Sequence, residues 1–206
     1  MFRTLILALA LSTAAHASVA MELVDEETEQ VAGPTDHTDA WRSYLTDRRN
    51  QQIARLEAYA DAGVFPLNND SPGLVNIFMD EEGRRCAMAN LIWQDGNRGL
   101  VKRTARTNNA LLLGEVEDGP LMDWILTSGL TQDEVAFVQE PDFFIRDDFQ
   151  VKEDRQLLVA AEQTRLRAHF AAAAQQLKAY GPMSIEEAID ALGDRVQERP
   201  ATERRS

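Results

Sequence analysis

Cysteine is nearly missing: Cys86 is the only one among 206 residues. No intramolecular disulfide can therefore staple the chain, and its stability has to come from packing. Histidine is scarce too, with His16, His37 and His169 far apart. One thiol and dispersed imidazoles lack the ligand spacing of a structural zinc site. Positive charge is in short supply: 21 Lys and Arg stand against 34 Asp and Glu, for a net charge of −13. A chain this acidic repels nucleic acid and anionic membranes as a whole, so neither is expected as a partner. The apolar run over residues 5–11 falls well short of the ~20 residues that span a bilayer. Internal repeats are missing as well, which excludes solenoids and propellers.

That short apolar run has a different use. It follows Arg3 and precedes two small-residue sites, Ala15-His16-Ala17 and Ser18-Val19-Ala20, the pattern of a cleaved secretory leader. The mature chain is then expected to begin at Ser18 or Met21, one unit more negative once Arg3 is gone. No cysteine follows either site, so no lipid anchor is expected after cleavage. The localisation read from this is secreted or periplasmic. A secreted chain without disulfides fits a bacterial periplasm best.

The hydrophobic fraction of 44% is enough for one core. Residues 1–20 read as the leader, 21–39 as an acidic linker, 40–145 as a compact α-rich module, 146–196 as C-terminal helices and 197–206 as a disordered tail. The fold class expected is mainly α, with a small β-hairpin or short strands. Apolar spacing predicts a helix from Asp39 ended by Gly63. A strand is expected over 75–79, with Asp80-Glu81-Glu82-Gly83 as a hairpin turn. Helices are expected over 86–94 and, with a basic character, over 100–107. A second strand is expected over 111–116. Pro120 opens the next helix, and Thr131 opens another that runs to Gln139. A long helix over 151–180 should stop at Gly181-Pro182, and Ser184 with Glu187 should cap a last one.

Three motifs invite function. "SGLTQDEVA", residues 128–136, resembles the start of a helix-turn-helix DNA reader. Local capping accounts for it: Thr131 at N-cap, Glu134 at N3, and Leu130 with Val135 as a staple. The basic recognition helix such a reader needs is replaced by acidic sequence. "DEEG", residues 80–83, suggests calcium, yet Arg84, Arg85 and Cys86 follow where an EF-hand needs oxygen ligands. A calcium site assembled from separate loops stays open. No cofactor and no metal ligand set is expected.

Cys86 is the third. Beside Arg84 and Arg85 near a helix start, it has the surroundings that lower a thiol pKa. A nucleophile also needs a base, and His169, next to Leu166 and Phe170, is the candidate. Asn90, the one polar residue of "CAMANLIW", completes the set of catalytic candidates. The competing reading is core packing, since free cysteine is among the most buried residue types. Its neighbours Ala87, Met88, Ala89, Leu91, Ile92 and Trp93 favour that.

The order "IFMDEEGRRCAMANLI", "RTNN", "WILTSGLTQDEVAFVQEP" resembles a pattern in uncharacterised secreted bacterial proteins: D-x-x-G-x-x-C-A, an Asn-rich turn, W-x4-G-L-T-x-x-E, then I-Q-P. It covers residues 75–141, and "VQEP" departs from the last piece. The resemblance implies one compact module and assigns no catalytic residue. The function expected is therefore a secreted or periplasmic binding or interaction module, with a protein as the partner class considered. The alternative is a hydrolase or thiol enzyme using Cys86.

Overall fold

A computed structural model of the chain describes residues 38–145 and 152–198. Residues 1–37, 146–151 and 199–206, where the leader, most of the linker, the start of the C-terminal helices and the tail are expected, lie outside the described residues. The fold is mainly α, with helices α1 (Thr38–Ala62), α2 (Ala87–Gln94), α3 (Arg98–Thr107), α4 (Gly119–Thr127), α5 (Gln132–Val138) and α6 (Lys152–Glu198). Two short strands, β1 (Leu74–Val75) and β2 (Asp142–Phe143), pair antiparallel with Leu74 opposite Phe143. No helix among the described residues is long and apolar enough to cross a membrane.

The long helices α1 and α6 lie side by side in opposite directions. Arg42 reaches Glu186, Arg49 reaches Leu177 and Ser184, and Arg167 donates to the Ala60 carbonyl. The shorter helices α2 to α5 fill the space beside this pair. One core joins them: Ile53 and Leu56 of α1, Met88, Leu91 and Ile92 of α2, Ile125 of α4, Val135 and Val138 of α5, and Leu166 and Leu177 of α6. Tyr59, Phe65 and Phe170 meet in the same core with ring centroids 5.1–5.3 Å apart. Such edge and tilted contacts add about 0.5–1.5 kcal/mol each beyond burial.

Two glycines hold the geometry. Gly63 has φ 62° and donates to the Tyr59 carbonyl, ending α1 as its sequence position predicts. Gly129, at φ 80°, lies against α1. A Cβ there would sit 2.3 Å from the Leu45 oxygen and 2.6 Å from the Arg49 nitrogen. Only glycine permits that approach of the α4–α5 turn.

Three expectations are corrected. The hairpin around residues 80–83 shrinks to one bridge, Met79 with Arg85, and β1 instead pairs with β2, far along the chain. Residues 111–116 form a 3-10 turn at Leu113–Glu115 rather than a strand. Their backbone groups are taken by glutamine side chains of the α5 region: Gln139 accepts from Leu113 N at 2.7 Å, and Gln132 donates to the Val116 oxygen at 2.7 Å. Finally, Gly181-Pro182 does not end a helix. The helix runs through Pro182, and Ser184 caps nothing. An internal proline removes a donor and costs about 3 kcal/mol in isolation. Here α1 offsets it: Arg49 Nη2 donates to the Leu177 oxygen at 2.7 Å, and Ile185 and Ala188 beyond the proline pack with Leu45.

Candidate functional site

Cys86 is the N-cap of α2. Its Sγ accepts from Ala89 N at 3.4 Å, and the residue is 3% exposed. Burial pushes the thiol up to about 12, and the Ala89 amide only partly offsets this. Desolvation thus outweighs the Ala89 and Met88 amides, the reverse of a thiol activated for attack. His169 is engaged elsewhere. Its Nε2 lies 3.0 Å from the Phe137 oxygen, its Nδ1 3.6 Å from Glu140, and its ring packs on Phe137 and Phe170. Asn90 is buried and, with Tyr59, Arg85 and Gln94, lines a cavity of about 320 Å³. Cys86 and His169 share no hydrogen bond, so the structure does not assemble the nucleophile–base pair that the alternative reading needs.

Two buried ionic centres were not legible from the sequence. Asp95, at the C-terminal end of α2, accepts from Arg48, Arg55, Gln52 and Trp124 Nε1, the last at 2.7 Å. Burial pushes this carboxyl up, but the bonds from Arg48, Arg55 and Trp124 outweigh it and hold it at about 2. Residues 48, 52 and 55 are spaced so that one face of α1 presents all three to one acid. The second centre is Glu134. It completes the capping box with Thr131 and also receives Arg49 at 2.6 and 2.7 Å and Ser184 Oγ at 2.7 Å. Arg49, 2% exposed, further donates to the Gly129 oxygen at 3.0 Å. These centres lock α1 to α2, α4, α5 and α6.

Asp142 is 2% exposed and accepts from Ile77 N at 3.3 Å. Burial pushes its carboxyl up to about 8, the Ile77 amide works against that, and the Glu162 charge adds to it. At neutral pH it is held mostly protonated within the β1–β2 region.

The remaining charge is distributed unevenly. Arg42, Arg48, Arg49, Arg55, Arg84, Arg165 and Lys178 all pair with carboxylates. Arg85, Arg98, Lys102, Arg103 and Arg106 form no salt bridge among the described residues. Four of these belong to α3, which has no acidic residue. Three gather on one indole: over the Trp93 ring lie Arg85 Cζ at 4.5 Å, Arg98 Cζ at 5.5 Å and Lys102 Nζ at 5.7 Å. Each such contact is worth about 0.5–1 kcal/mol at an exposed site. Arg98, Lys102, Arg103 and Arg106 are exposed, and Trp93 is half-buried with one side on the core.

The Trp93 face arises from local sequence. Trp93 ends the apolar stretch of α2, Gly96 turns the chain at φ 88°, and α3 then presents Arg98 and Lys102 one turn apart. Basic helix and tryptophan are both visible in the sequence; their convergence depends on the α2–α3 turn. Between α3 and α4 the surface opens into a depression of about 580 Å³ lined in part by Asn97, Leu100, Arg103 and Trp124. Among the described residues no group of three or more His, Cys, Asp or Glu is placed to hold a metal ion. No protein-family model, curated protein or solved structure matches the chain.

Proposed function

We propose that this chain is a secreted or periplasmic binding module that captures an acidic segment of a protein partner on the face formed by Trp93 and α3. The observation that carries the reading is three cations held over one tryptophan with no carboxylate partner among the described residues, in a protein whose net charge is −13. Any two of the three charges are within roughly 11 Å, about a Debye length at 0.1 M salt, so they repel one another. Two unit charges at ~6 Å in water cost about 0.7 kcal/mol. A carboxylate seated among them removes that repulsion and gains the attraction. The ring adds an apolar floor for the stem of a Glu side chain.

The net negative charge elsewhere acts as a filter. It discourages long polyanions, which would overlap the acidic surface, while a short acidic segment meets only the basic face. The leader and the absence of disulfides support export to a periplasm. The resemblance to secreted bacterial proteins is in keeping with that.

The test is fluorescence anisotropy of a labelled peptide of about a dozen residues, rich in Glu and Asp, titrated with the full mature chain. Saturable binding at low salt, weakened about tenfold or more at 0.2 M salt and lost in Arg98→Glu/Lys102→Glu, is the expected result. Equal signals from the two proteins, or none from either up to millimolar concentrations, would overturn the reading. The compartment is checked separately by mass spectrometry of the exported protein, with an N-terminus at Ser18 or Met21 expected; a chain retaining Met1 in the cytoplasm refutes export.

A further inference from the structure

We infer that the cavity between the end of α1, the 82–85 turn and α2 is a binding site for a carboxylate carried on a short apolar stem, held by Asn90 and Arg85. The site goes beyond the acidic-segment face proposed above. It shares only Arg85 with that face, since Arg85 lies over Trp93 and also lines the cavity.

The first support is Asn90. It sits in the middle of α2, is 9% exposed, and its backbone N donates to the Cys86 carbonyl at 2.9 Å. Its carboxamide, which can donate two hydrogen bonds and accept two, has no partner among the described residues. Buried polar groups are normally paired, and an unpaired one costs stability. Asparagine is also a weaker helix former than the Ala, Met and Leu around it. Nothing within the fold offsets these costs. The cavity accounts for them: Asn90 opens into it, and Gln94, one helical turn on, lines the same wall.

The second support is charge. Two arginines and one carboxylate line the cavity. Arg84 is engaged by Asp80 and by that carboxylate, Glu82. Arg85 forms no salt bridge among the described residues. It donates to the Gly83 carbonyl at 3.2 Å, and its Nε, closed off from solvent, donates to nothing. One positive charge is thus left for a ligand. That matches a monoanion; a phosphate monoester brings about −1.5 to −2. A planar carboxylate accepts from a guanidinium and from a carboxamide NH2 at once.

The third support is shape. Ala58, Tyr59 and Ala62 of α1 form an apolar wall, and Val64, 56% exposed, stands at the cavity as well. Tyr59 Oη donates to the Arg85 carbonyl at 2.7 Å, which ties the apolar wall to the charged end. The volume of about 320 Å³ is at the small end of the roughly 300–1,000 Å³ of ligand pockets, so the ligand is small. A free short-chain acid and a Glu side chain of a captured segment both present this chemistry.

The experiment titrates the isotope-labelled full mature chain with sodium pentanoate, and with pentanamide as the neutral control. The side-chain amide resonances of Asn90 and Gln94 and the backbone amide of Gly83 are followed. Saturable shifts with pentanoate, at a dissociation constant of about 1 mM, and about tenfold weaker binding of pentanamide are expected. In Asn90→Leu the Gln94 and Gly83 shifts should be lost while the urea midpoint holds or rises, because leucine fills the space without an unpaired polar group. If Asn90→Leu does not fold, Arg85→Gln carries the same test, with loss of the pentanoate shift at Asn90 expected. A second arm adds the acidic peptide instead. Shifts at Asn90 from the peptide alone assign the carboxylate to a partner's side chain, and shifts from pentanoate assign it to a free acid. No shift at Asn90 from either probe, equal binding of acid and amide, or shifts unchanged in the variant would overturn the inference. Arg98 and Lys102 do not line the cavity, so pentanoate binding should persist in Arg98→Glu/Lys102→Glu. Pentanoate binding without any peptide binding therefore strikes only the acidic-segment face, and salt-sensitive peptide binding with Asn90 unmoved by both probes strikes only this site.

Discussion

Replacing Arg49 by methionine tests the ionic centre that joins α1 to α5, α6 and the α4–α5 turn. The aliphatic stem keeps most of its packing, while the guanidinium and its bonds to Glu134, Gly129 and Leu177 disappear. Removing one partner of a buried pair costs about 3–5 kcal/mol, because the other charge is left uncompensated. Glu134 retains 15% side-chain exposure, which lets water solvate part of it and puts the expectation near the lower end, about 3 kcal/mol. With a urea slope of about 2 kcal/mol/M, the denaturation midpoint should fall by about 1.5 M. The pH dependence has a definite sign. Burial raises the Glu134 carboxyl, but the bonds from Arg49, Ser184 and the Thr131 amide outweigh it and the net shift is downward. The stabilisation from this depressed pKa is present above the unfolded carboxylate value and is lost as pH falls through the folded one. Arg49→Met removes the largest lowering contribution, so the gap between wild type and variant should narrow as pH falls from 7 toward 4. Arg49→Met/Glu134→Gln should lose less than the two single changes added together. A midpoint shift under about 0.3 M, or strict additivity, would refute the account of Arg49 as the locking residue.

Thr131→Ala should cost about 0.5–2 kcal/mol, as lost N-caps do, read as a urea midpoint; no shift would mean that the capping box at α5 contributes nothing. Cys86 should react slowly with an aromatic disulfide reagent in the native state and fully after denaturation, since burial disfavours its thiolate; rapid native labelling would reopen the thiol-enzyme alternative. Asp142 has a folded pKa raised to about 8, so its protonated form stabilises the fold at low pH, and that stabilisation is lost as pH rises from about 4 through about 8. Asp142→Asn, a neutral mimic, should therefore gain on wild type by about 1.4 kcal/mol per pH unit across that window; a pH-independent difference would show that the carboxyl is not held protonated.

Local patterns carried much of the helical layout. α1, α2, α4 and α5 lie close to their apolar periodicity, the Gly63 stop and Pro120 start act as expected, and the Thr131–Glu134 capping box is formed. Each of these depends on residues within about one turn of each other, so neighbours in sequence suffice to determine them. Burial of Cys86 belongs here too, because every side chain around it in the segment is apolar. Tertiary structure decided the rest. β1 has its partner 69 residues away, as the Leu74 and Phe143 numbers show, and a two-residue strand carries no periodicity of its own. Residues 111–116 gave up a strand because Gln132 and Gln139 supplied the backbone bonds. Helix α6 passes Pro182 because Arg49 and Leu45, more than a hundred residues earlier, hold both sides of the break. The Trp93 face stands between the two cases: its basic helix and its tryptophan are plain in the sequence, but the gathering of Arg85, Arg98 and Lys102 on one ring requires α2 to turn at Gly96 and lay α3 back across it. Composition sets how much charge a chain carries, and only the fold decides which charges are left without a partner.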